Sequence, residues 1–101
     1  MKYTETELTD NQAAHHFELV VEGHTAFIDY KKSNERLFLI HTEVPDELEG
    51  KGVGSAIVEK AFKYAEQNNL KIVPLCSFVQ SYLKRHQEWS RIVAPDTERF
   101  K

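Results

Sequence analysis

Apolar and polar positions alternate through the first half of the chain and shift to a helical period in the second. Residues 17–21, 25–30 and 36–44 are rich in β-branched and aromatic side chains, and Glu22-Gly23 and Ser33-Asn34-Glu35 separate them. Short turns between such runs predict three strands in an antiparallel meander. The opening segment through Asn11 has weak periodicity and reads as irregular, with Thr9 or Asp10 a candidate local helix cap.

From about residue 52 to 67 the pattern is that of an amphipathic helix. At about 100° per residue, Glu59, Lys60, Lys63, Glu66 and Gln67 fall within roughly 120° of arc. This leaves Ile57, Val58, Ala61, Phe62, Tyr64 and Ala65 to face a core. Asn68-Asn69 ends the helix, and residues 71–79 follow, apolar on both alternating faces as a buried strand would be. A strand, a helix and a strand in succession predict a parallel pair with a right-handed crossover. Residues 80 to about 92 read as a second helix, with Tyr82, Leu83, His86 and Trp89 along one side, and the chain past Pro95 as a tail. The expected fold class is α/β (α+β): a mixed sheet with helices packed on it.

Length and charge narrow what such a fold does. A chain of 101 residues suits one domain, spanning 1–101, with one core. No run approaches the roughly 20 apolar residues that cross a bilayer, so no membrane partner is expected. The start of the chain has neither the basic residues nor the apolar run of a secretory signal, and the single cysteine permits no internal disulfide; both point to the cytoplasm. The net charge is −3 and the 13 basic residues are scattered, which argues against a nucleic-acid partner. The five histidines form no His-x-x-x-His pair and no Cys-x-x-Cys accompanies them, so no metal site is expected.

The chemistry is concentrated in Val44-Pro45-Asp46-Glu47-Leu48-Glu49-Gly50-Lys51-Gly52-Val53-Gly54-Ser55, where three glycines alternate with other residues just before the first helix. Glycines let backbone N–H groups approach a ligand, and a helix start adds unpaired donors and a partial positive charge. The expected ligand is an anion such as pyrophosphate. A Walker turn would need a glycine five residues before Gly50 and a Ser or Thr after Lys51, and a dinucleotide turn would need G-x-G-x-x-G; neither spacing is present. On the glycines alone, an unliganded strand-to-helix turn accounts for the pattern equally well.

Val44-Pro45, then Glu49-Gly50-Lys51-Gly52-Val53-Gly54 and an Ala/Ile/Val-rich helix, resemble the [Gln/Arg]-x-x-Gly-x-[Gly/Ala] motif of the GNAT N-acetyltransferase superfamily. In that motif Glu49 stands where the superfamily prefers Gln or Arg. His41-Thr42-Glu43-Val44-Pro45 and Val73-Pro74-Leu75-Cys76-Ser77-Phe78-Val79, with Tyr82 and His86, look like the small GNAT-like branch named for its cysteine and glycine positions. The resemblance covers roughly residues 17–93 and implies a single GNAT-like domain that binds acetyl-coenzyme A and transfers its acetyl group to an amine acceptor. It also implies pyrophosphate binding by backbone N–H groups from Lys51 to Ser55, with Val44, Glu49, Gly50, Tyr82 and Arg85 close to the cofactor.

The same resemblance implies candidate catalytic residues. Cys76 would lie beside the thioester, as nucleophile or as lining; on its own it reads as a small buried hydrophobe. His41 and Glu43 share a strand face by period-two alternation, following Leu37 and Leu39, and either could accept the proton of an attacking amine; a solvated strand end is the plainer reading. Tyr82 resembles the tyrosine that protonates the leaving thiolate, against a simple core role. Lys84 and Arg85 could meet phosphates, although exposed helix charges are more often only solvated. The small size leaves a second class open, a non-catalytic acyl-coenzyme A binding or interaction module. The sequence names neither the acceptor nor the oligomeric state.

Overall fold

The computed structural model describes residue 3 and residues 6–95, so the expected tail lies outside the described residues. One sheet carries strands β1 (Thr9–Asn11), β2 (His16–Val21), β3 (His24–Ser33), β4 (Arg36–Glu43) and β5 (Lys71–Pro74) in that spatial order. The first four are antiparallel and β4–β5 is parallel, joined through helix α1 (Val53–Gln67). A second helix, α2 (Ser77–Arg85), and a 3-10 turn at Gln87–Ile92 follow. The mixed sheet with helices packed on it is the architecture expected from the sequence.

Local chemistry explains most boundaries. Glu22-Gly23 and Asn34-Glu35 all take positive φ, from 52° to 79°, and connect the directly paired Val21 and His24, and Ser33 and Arg36. These are two-residue hairpin loops whose twist matches the strands they join. Helix α1 stops where Asn69 adopts a φ of 57°. Leu70 N–H then donates to Ala65 O (2.8 Å) and Asn69 N–H to Glu66 O (3.3 Å), satisfying the last carbonyls in a Schellman arrangement.

Three elements depart from the sequence reading. The opening segment is not capped helix or irregular chain at Thr9 and Asp10: Thr9–Asn11 is a strand paired with Glu18, Phe17 and His16, so the meander has four strands. Three residues are too short to show a period, and the pairing comes from β2. The last strand ends at Pro74 rather than residue 79. Leu75 and Cys76 N–H both turn to Leu39 O at 3.0 Å, and the first helical bond of α2 runs from Gln80 N–H to Cys76 O. The second helix therefore begins three residues earlier than expected, and it breaks at His86 (φ −133°, ψ 67°) before the 3-10 turn.

The core lies on one face of the sheet. Phe17, Leu19, Ala26, Ile28, Leu37 and Leu39 are fully buried there against Val53, Ile57, Ala61, Phe62 and Ala65 of α1. Phe62 also meets the rings of Tyr82 and Trp89 edge-on, each at 5.5 Å, so α2 and the 3-10 turn pack on the same side as α1. No helix among the described residues is long and apolar enough to cross a membrane.

Candidate functional site

The register of β4 shifts by one residue beside Asp29 and Tyr30: Tyr30 pairs with Leu39, but Asp29 pairs with His41. Ile40 is the extra residue of a β-bulge and is 45% exposed. The bulge reverses the alternation. Leu37 and Leu39 face α1, whereas His41 and Glu43, opposite Asp29 and Phe27, point to the other face, and Thr42, opposite the buried Ile28, turns to the α1 side. His41 and Glu43 do share a face, as expected, but it is not the face of the leucines that precede them. Pairing with β5 ends at Leu39 and Pro74, so β4 beyond Leu39 has no β5 neighbour. Thr42 Oγ1 lies 3.4 Å from Cys76 Sγ across that gap.

The glycine turn begins with a 3-10 turn at Asp46–Leu48, held by the fully buried Leu48. Gly52 is the N-cap of α1 with φ 76°, a left-handed conformation, and no side chain caps the helix. The first intrahelical bond is Ala56 N–H to Gly52 O (3.0 Å), which leaves the N–H groups of Val53, Gly54 and Ser55 without intrahelical acceptors. No acidic residue occupies the first turn of α1. Both features suit an anion.

Above this helix start is a cleft of about 410 Å³. Its floor is formed by Glu49, Gly50 and residues 52–55, one wall by Thr42 and Val44, and the other by Phe78 and Arg85 of α2. Arg85 supplies a cation at the end of α2, and Glu49 is exposed. The set of backbone donors, one guanidinium and an apolar wall matches a ligand with a charged phosphate end and a neutral arm.

The sequence profile of the GCN5-related N-acetyl-transferases matches residues 16–92. This chain belongs to that family. Among solved structures, it is similar to a GCN5-like candidate N-acetyltransferase from Staphylococcus aureus determined by NMR in solution, with a TM-score of 0.68, 29% identity and 90% of each chain covered. The family is associated with acetyl-coenzyme A, and the donors around the cleft fit such a group.

Within this GCN5-related chain, the candidate residues fall into three groups. Val44, Glu49, Gly50, Gly52, Val53, Gly54, Ser55 and Arg85 line the cleft. His41 and Glu43 form their own pair, Nε2 to Oε1 at 3.0 Å, and are 57% and 58% exposed. Cys76 is buried beside Thr42 at the N-cap of α2, not on a strand. Two further candidates are engaged elsewhere. Lys51 does not line the cleft: its N–H donates to Leu48 O (3.3 Å), its carbonyl accepts from Tyr3 Oη (2.9 Å), and its ammonium pairs with Glu22 at 2.8 Å. Tyr82 does not line it either, being buried in the core against Phe62 and stacked on His86 at 4.3 Å. The sequence reading missed Thr42 and Phe78 as cleft residues. Only the position of the bulge and the early start of α2 reveal them.

Burial pushes the Tyr82 phenol up to about 12, with the nearby Glu59 carboxylate adding to the effect and a hydrogen bond to Trp89 opposing it. A phenol that holds its proton more tightly in the fold contributes stability below its ordinary pKa of about 10 and loses it as pH rises from there through about 12. Stability is therefore expected to fall by on the order of 2 kcal/mol across that window because of Tyr82. Denaturant melts at stepped alkaline pH check this, and Tyr82→Phe should show a shallower decline. An equal slope in the two proteins would place the alkaline transition elsewhere.

Proposed function

We propose that this protein binds acetyl-coenzyme A in the cleft between the end of β4, the start of α1 and α2, and passes the acetyl group to an amine. The observation that carries this reading is the continuity of the cleft. It runs from the N–H groups of Val53, Gly54 and Ser55 to Thr42, where β4 has lost its β5 neighbour, and His41 and Glu43 stand on the opposite side of that same stretch of strand.

The cofactor would supply an acetyl group activated as a thioester. The protein's tasks are to fix the phosphate end, admit the amine and take up a proton. The start of α1 and Arg85 hold the phosphates through N–H donors and a guanidinium. The gap beside Thr42 gives an amine access from the face that carries His41 and Glu43. Transfer would join the amine nitrogen to the carbonyl carbon and release coenzyme A as its thiolate, to be protonated from solvent, while the nitrogen gives up a proton. The hydrogen-bonded His41–Glu43 pair on that face would take it up. Cys76 lies buried behind Thr42, with its Sγ 3.4 Å from the Thr42 hydroxyl. Direct transfer is the favoured route, because the residues flanking Cys76 within two positions, Pro74, Leu75, Ser77 and Phe78, include no base to activate the thiol.

A panel of amines incubated with acetyl-coenzyme A tests the proposal, with intact-mass analysis of the protein when no acceptor is present. Turnover on at least one amine is expected, with no acetyl adduct on the chain and much of the activity retained in Cys76→Ser. A stoichiometric adduct on Cys76 that passes its acetyl group to an added amine would instead establish a covalent route. One observation favours a second reading, a non-catalytic acyl-coenzyme A binding module: Tyr82 is buried in the core rather than lining the cleft. Tight binding with no turnover on any amine would decide for the module.

A further inference from the structure

Three glycines mark the turn, but they are not glycines for the same reason. Gly50 and Gly52 both have φ 76°, and a Cβ added to either would meet nothing within 4 Å. Their backbone conformation accounts for them. At Gly54 the case is reversed. It lies in α1, its φ is not in the left-handed region, and a Cβ there would stand 2.5 Å from Cζ of Phe78, 3.1 Å from Cε1 and 3.3 Å from Cε2. The tip of the Phe78 ring occupies the place that any side chain at this position would need.

Phe78 sits in the first turn of α2 with its ring tip against α1, yet it stays 37% exposed and lines the cleft. We propose that Phe78 is the apolar wall that grips the neutral arm of the cofactor, and that residue 54 is glycine to seat this ring rather than to admit phosphate. The inference rests on the reading of the cleft as an acyl-coenzyme A site. Position along α2 selects the arm. Cys76, beside Thr42, precedes the helix and Arg85 ends it, so Phe78 stands between the Thr42 side of the cleft and its cationic end. The face of an aromatic ring carries partial negative charge and does not favour phosphate, whereas the amide-and-methylene pantetheine arm gains from packing on it. Ligand binding then covers the exposed part of a large apolar side chain.

The test is a double-mutant cycle read by titration calorimetry with two probes, coenzyme A and 3′,5′-ADP, the second having no pantetheine arm. Phe78→Ala should bind coenzyme A about tenfold more weakly, while its affinity for 3′,5′-ADP stays at the wild-type value. Gly54→Ala should weaken coenzyme A binding when Phe78 is present, because the ring must swing into the cleft, and should cost little in the Phe78→Ala background. Should Gly54→Ala perturb folding, Phe78→Leu, which removes the ring from a partly exposed position, carries the same comparison of the two probes. Unchanged coenzyme A affinity in Phe78→Ala, an equal loss for both probes, or an equal cost of Gly54→Ala with and without the ring would each overturn the assignment while leaving the cofactor reading intact. A wild-type protein that binds neither probe would overturn both.

Discussion

Saturating coenzyme A is expected to raise the melting temperature of this protein by on the order of 10 °C or more. The cleft exists only in the folded chain, since its floor comes from the start of α1, one wall from β4 and the other from α2. A ligand that binds only the native state stabilises it by RT ln(1 + [L]/Kd), about 2.7 kcal/mol at 100 times Kd. In a domain of about 100 residues, each kcal/mol moves the midpoint by roughly 4–8 °C. Differential scanning fluorimetry with increasing coenzyme A measures the shift, and 3′,5′-ADP should produce part of it through the phosphate end alone. A melting curve unmoved by saturating coenzyme A would remove the proposed function.

Gly52→Val should reduce coenzyme A affinity by about a hundredfold, and by more than it reduces stability. At φ 76° a β-branched residue is strongly disfavoured, so the turn must relax toward negative φ. That relaxation costs on the order of 1–2 kcal/mol of folding free energy. It also displaces the first turn of α1, whose free N–H groups follow Gly52 directly. Losing one or two hydrogen bonds to a charged phosphate, at roughly 1.5–3 kcal/mol each, gives about the hundredfold change. Calorimetric binding beside a denaturant melt separates the two effects. Wild-type affinity in Gly52→Val would mean that the glycine serves only the turn.

Much of this architecture could be read from the chain because it is governed by local rules. The helix over Val53–Gln67 announced itself through its polar stripe and the Asn68-Asn69 stop, and the hairpins through Glu22-Gly23 and Asn34-Glu35. Strands β2, β3 and β4 appeared within a few residues of their ends because each buries one alternating face. The glycine turn was legible for the same reason: positive φ and a helix start are properties of neighbouring residues. Residues 75–79 were not. A short apolar run has no period long enough to separate strand from helix, and its outcome turned on Leu39 O, which accepts both the Leu75 and Cys76 N–H groups and turns the chain out of the sheet.

By itself, then, the sequence determined the mixed sheet, the crossover helix and an anion-suited turn at Gly50 and Gly52, all of which follow from periodicity and backbone preference within a few residues. Tertiary structure alone decided which side chains meet the cleft. The bulge at Ile40 sends Thr42 toward Cys76 and His41 with Glu43 to the opposite face, because one extra residue in a strand of period two reverses every position after it. The partners of Lys51 lie 29 and 48 residues away at Glu22 and Tyr3, and the reason for Gly54 lies across the cleft in Phe78. Contacts of that separation are set by how strands and helices pack, and no local pattern in the chain encodes them.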